Sequence, residues 1–141
     1  MILILKRISE TAKVPDIMDF IDPILQGGLL KKSGRIGNVT IQMLQENGSN
    51  QVEYHALVTI VPDTVGHRVA KQLNRKPFNG KPINVMEYSL RHFSNDRRQS
   101  RYQSANNRRK IDRRRKNIKI DDITDDSKRY AEQPVKDIDW Y

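Results

Sequence analysis

Within the first ninety residues, apolar positions fall into six patterned stretches separated by turn-forming residues. Residues 2–8 are a short apolar run rich in β-branched side chains, which predicts a strand. From Pro15 the period changes. Ile17, Phe20, Ile21, Ile24 and Leu25 recur at i, i+3, i+4, i+7 and i+8, the stripe of an amphipathic helix. Pro23 lies inside that stripe and predicts an irregular last turn, and Gly27-Gly28 stop the helix. Residues 36–44 alternate, with Val39, Ile41 and Met43 set against Asn38, Thr40 and Gln42, the pattern of a half-buried strand. Asn47-Gly48 predicts a hairpin turn into residues 52–61, where Ala56, Val58 and Ile60 share a face. Pro62 and Asp63 end that strand and open a second helix striped by Val65, Val69 and Leu73. Residues 74–81 read as a turn-rich loop and 83–88 as a final strand.

The predicted order is β-α-β-β-α-β, an α+β chain with one hairpin and two crossovers. Right-handed crossovers put the first and third strands at the sheet centre, giving a ferredoxin-like sandwich with two helices on one face and the other face open. Strand alternation assigns to the open face Ile4, Lys6, Thr40, Gln42, His55, Leu57, Thr59, Asn84, Met86 and Tyr88. Ile4, Leu57 and Met86 then form a central apolar patch. Patches of this kind are usually covered, here by the chain's own C-terminal segment, a second copy or a protein partner. A register displaced by one residue would instead send these side chains into the core.

Three stretches of residues 1–88 resemble an RNA recognition motif (RRM) domain. Leu3-Ile4-Leu5-Lys6-Arg7-Ile8 falls where that family carries its six-residue motif on strand one. Glu53-Tyr54-His55-Ala56-Leu57-Val58-Thr59-Ile60 falls where it carries its eight-residue motif on strand three. Leu73, followed by Phe78-Asn79-Gly80-Lys81-Pro82-Ile83-Asn84-Val85, resembles the end of the family's second helix and its entry to the fourth strand. The resemblance implies an RRM-like sandwich and an RNA partner. It also carries departures. The family's stacking aromatics on the central strands correspond here to Ile4, His55 and Leu57, and its basic residue and glycine to Glu53 and Tyr54. The chain therefore resembles a degenerate member whose sheet lacks the usual platform for bases. Lys6, His55 and Tyr88 are the domain's own candidate nucleic-acid contacts, and Tyr88 and Phe93 read equally as edge-stacking or packing aromatics.

Charge changes the picture beyond residue 90. Residues 1–88 hold eleven basic and eight acidic side chains, whereas residues 89–120 hold twelve and two, a net of +10. Residues 121–141 return to −4, and the whole chain of 141 residues carries +9. Arginine outnumbers lysine nine to three in the basic segment, and its planar fork suits phosphate and base stacking. Arg91, Arg97, Arg98, Arg101, Arg108, Arg109, Lys110, Arg113, Arg114, Arg115 and Lys116 are candidate phosphate contacts, with Tyr102 interleaved. Free of a partner the segment lacks the apolar periodicity of a stable helix and is expected to be mobile. The bland alternative is a solvated tail with no dedicated partner. The acidic end, 121–141, reads as solubilising, with an autoinhibitory strap over the arginines as the alternative. The domain plan is thus 1–90 RRM-like, 91–120 basic and 121–141 acidic.

Other chemistries find little support. There is no cysteine, which excludes disulfides and thiolate chemistry. His55, His67 and His92 have no metal-ligand spacing, and the glycines at 27, 28, 34 and 37 lack the lysine and strand-turn-helix context of a phosphate loop. The reading is a non-enzyme without cofactors, cytoplasmic, with no membrane partner. RNA is the expected partner. Duplex DNA stays open, because phosphate contacts alone do not distinguish it. A protein-interaction or dimerisation module built on Ile4, Leu57 and Met86 is the alternative function.

Overall fold

A computed structural model describes residues 1–90 and 117–125. The elements are β1 (Ile2–Lys6), α1 (Val14–Leu25), β2 (Arg35–Glu46), β3 (Val52–Val61), α2 (Asp63–Leu73), β4 (Pro77–Phe78), β5 (Lys81–Pro82), β6 (Asn84–Glu87) and β7 (Ile118–Asp122). All six expected elements are present, and the loop after α2 adds the small β4-β5 hairpin. The main sheet runs β6-β1-β3-β2-β7, with every described pairing antiparallel. β1 and β3 lie at its centre, as the two crossovers require.

Local sequence accounts for the element ends. The backbone N–H of Lys13 donates to the Asp16 carboxylate (2.9 Å) at the start of α1, and Pro15 occupies the first turn, where its missing donor costs nothing. α1 continues through Pro23 and stops two residues later, so the missing bond falls where the helix is already ending. Ser49 N–H donates to Glu46 O across Asn47-Gly48, and Gly48 takes φ of 89°, a conformation that favours glycine. Gly37 is the extra residue of a bulge that shifts the β2-β3 register between Ile36 and Asn38.

The helices cover one face only. Leu3 and Leu5 of β1, Ala56, Val58 and Ile60 of β3, Ile41 of β2 and Val85 of β6 turn inward against Ile17 and Ile21 of α1 and Val65 and Val69 of α2. Phe20 meets Phe78 edge to face, with ring centroids 5.1 Å apart, and closes the core at the β4-β5 hairpin. Phe20, Ile24 and Met43, expected in the core, are half-buried at its margin. The first residue joins in. The Met1 ammonium donates to Ile60 O and the Asp63 carboxylate, and a Cβ on Gly66 would stand 2.7 Å from Met1 Sδ.

Candidate nucleic-acid interface

Two cross-strand rows define the face away from the helices. Met86, Ile4, Leu57 and Thr40 lie side by side from β6 to β2. Asn84, Lys6, His55, Gln42 and Asp122 form the next row, across all five strands. Their intervening neighbours Leu3, Leu5, Ala56, Val58 and Val85 are the buried core, so the alternation sits in the expected register rather than the displaced one. A central β6-β1-β3-β2 sheet, two helices behind it and these rows in front are what the motif resemblance implied. The fold is RRM-like.

Two solved structures similar to this chain are the Mip6 RRM3 domain and the Pes4 RRM3 domain. The first is 20% identical with a TM-score of 0.47, covering 62% of this chain and 92% of that one. The second is 15% identical with a TM-score of 0.47, covering 64% and 94%. No protein-family model and no curated protein matches the chain.

On this RRM-like face the candidate residues are brought together unevenly. Met86 is 43% exposed, beside half-buried Ile4 and Leu57, so the apolar patch reaches solvent at the β6 edge. Lys6 is half-buried, flanked by Asn84 and His55. His55 faces the same side yet is only 9% exposed, and its Nε2 lies 3.4 Å from the Glu53 carboxylate. Glu53 thus stands beside the one ring that the central strands turn to the open face, since Tyr54 packs against the core side. Tyr88 extends the β6-β1 ladder, its N–H donating to Ile2 O (2.8 Å), and its side chain is half-buried. Arg91, Arg97, Arg98, Arg101, Tyr102, Arg108, Arg109, Lys110, Arg113, Arg114, Arg115 and Lys116 lie outside the described residues, as does Phe93.

Sequence reading missed β7, and the boundary drawn at residue 120 falls inside it. β7 pairs with the outer edge of β2, Leu44 facing Ile120 and Glu46 facing Ile118. Alternation turns Ile118, Ile120 and Asp122 to the open face, where Ile120 is 57% exposed. Lys119 and Asp121 turn the other way and pair at 3.0 Å. The strand's apolar side therefore faces out and its charged side in, the reverse of the usual pattern. Ile123 supplies the anchor. It is 4% exposed and joins the core, its N–H donates to Ile41 O (2.9 Å), and Thr124 Oγ1 accepts from Ile41 N–H (3.1 Å). The available signal was Ile118, Ile120 and Ile123 between the charges, but no periodicity rule selects a strand buried through its trailing residue.

Among the described residues no group of three or more His, Asp or Glu side chains could hold a metal ion. No described helix is long and apolar enough to cross a membrane.

Proposed function

We propose that this protein binds RNA, with residues 91–116 supplying most of the phosphate affinity and the RRM-like domain positioning them. The observation that carries this is the +10 charge of residues 89–120 attached to a domain of nearly balanced charge. Density of that order binds polyanions by releasing their counterions. The sheet face adds little base stacking of its own, with Ile4 and Leu57 at two platform positions and His55 beside Glu53 at the third. Connectivity supports the division of labour. The basic segment follows β6 at one edge of the sheet and precedes β7 at the other, about 19 Å away at four strand spacings. It is therefore tethered to the sheet on both sides rather than trailing from it. The proposal assigns no catalysis to the chain.

Salt-titrated binding tests it. Removing everything after Tyr88 also takes Ile123 out of the core, so charge neutralisation in the full chain is the cleaner perturbation. Replacing Arg113, Arg114, Arg115 and Lys116 with glutamine should flatten the log K against log salt slope for single-stranded RNA by up to about 3. An unchanged slope and affinity would sink the arm-driven reading. Running duplex RNA and duplex DNA alongside separates the polyanion classes.

A second reading is a protein-interaction face, favoured by the alignment of Met86, Ile4 and Leu57 in one cross-strand row. If Leu57→Asp leaves both oligomeric state and partner capture unaltered, that reading fails.

A further inference from the structure

The loop between α1 and β2 carries the two most exposed large apolar side chains among the described residues, Leu29 at 108% and Leu30 at 99%. They are not there through looseness of the loop. Arg68, reaching across from α2, donates through Nη2 to both Ile24 O and Lys32 O at 2.9 Å. Gly34 N–H donates to Leu25 O (2.9 Å), and Lys31 N–H to Gly28 O (3.0 Å). A Cβ on Gly27 would clash with Lys31 O, so the turn closes tightly on that glycine. The fold thus holds the leucines out beside an open groove of about 430 Å³ whose walls include Pro23, Ile24 and Arg68. Exposed Lys31 and Lys32 follow immediately, with exposed Arg35 at the start of β2. The site sets the two leucines beside Gln26 and Gln72 and is rimmed by cations.

We propose that residues 137–141 of the same chain occupy this site in cis, with Ile138, Trp140 and Tyr141 against the leucines and Asp137 and Asp139 toward the lysines. Three observations lead to this occupant. The first is direction. β7 runs antiparallel to β2, with Asp122 opposite Gln42 and Ile123 bonded to Ile41, so the chain leaves Asp125 heading toward Arg35, where the loop joins β2. The second is reach. From Ile41 back to Arg35 is about 20 Å of strand, while the fifteen residues from Asp125 to Trp140 can extend to about 50 Å. The third is complementarity. Residues 137–141 alternate acid and apolar side chains with no base among them, matching Leu29-Leu30 followed by Lys31-Lys32. The open sheet face is a poorer match, since its acids Glu53 and Asp122 offset the single lysine at Lys6. The proposal is independent of RNA binding.

Trp140 is the chain's single tryptophan, so the intrinsic fluorescence of the intact protein reports this contact directly. The expected result is an emission maximum blue-shifted from that of a synthetic peptide of residues 126–141, with reduced quenching by acrylamide, both independent of protein concentration. Leu29→Ser with Leu30→Ser should return emission and quenching to the peptide's values while the circular dichroism melt stays cooperative, because neither side chain belongs to the domain core. Lys31→Glu with Lys32→Glu should also reduce the shielding, and Met86→Ser on the open sheet face should leave it unchanged. Wild-type emission equal to the peptide's would overturn the proposal. So would shielding that survives the double leucine variant, and shielding lost on dilution would assign the site to a second copy instead.

Discussion

Replacing Ile123 with alanine tests how β7 is held. The side chain is 4% exposed and lies in the core beyond the β2 edge, while the strand before it touches the domain through one ladder only. Alanine removes three carbons, and at about 0.8 kcal/mol for each buried carbon the docked state loses about 2.4 kcal/mol. A cavity adds little at an edge that can collapse. The β1-β3 centre keeps its own contacts, so the loss should appear as local opening of β7. The amides that read it lie along β2 and at Asn47, the residue after it. Ile41 N–H bonds Thr124 Oγ1 and Asn47 N–H bonds Asn117 O, and antiparallel alternation turns Met43 and Gln45 to the same edge. Hydrogen exchange at these four amides should accelerate about fiftyfold, since about 1.4 kcal/mol corresponds to a factor of ten, while amides between β1 and β3 keep their protection. Acceleration of every amide by one common factor would refute the reasoning, because β7 would then belong to the domain's single cooperative unit. No acceleration anywhere would show that Ile123 is not a docked side chain.

Adjacent positions on β3 should behave oppositely: Val58→Asp places an unpaired charge in the core and should abolish the cooperative melt, whereas Leu57→Asp on the open face should retain it. Equal effects at the two sites would mean the register is wrong. Gly34→Ala puts a Cβ 2.6 Å from Val65 Cγ1 and should cost about 1–3 kcal/mol by overpacking, read as a Tm drop of roughly 5–20 °C; an unchanged Tm would show that α2 yields freely there. The Met1 ammonium hydrogen-bonds and attracts the Asp63 carboxylate and so holds its pKa below the ordinary aspartate value. That stabilisation is complete above the unfolded-state value of about 4 and is lost as pH falls through the lowered folded one. The Tm advantage of the wild type over Asp63→Asn should therefore shrink on acidification, and a gap that widens toward low pH would contradict the pairing.

Sequence alone determined the sandwich and its register, because each element there announces itself locally. The stripe at Ile17, Ile21 and Leu25, the alternation through Val39 and Ile41 and the Asn47-Gly48 turn each depend on residues a few positions apart, and their periods favour one assignment of inside and outside over the register displaced by one. The same alternation placed Ile4, Leu57 and Met86 outside, where the structure has them. The chemical departure of the sheet face was equally legible, since residue identity decides whether a ring can stack. Tertiary structure decided what local pattern does not encode. β7 is attached through Ile123 and through the unpaired edge of β2, a partner more than seventy residues earlier in the chain. His55 loses its exposure on a face that alternation assigns to solvent, set between Lys6 of β1 and Gln42 of β2. Leu29 and Leu30 are held out by an arginine on another helix. In each case the deciding contact joins residues far apart in sequence, and only the closed fold brings them within reach.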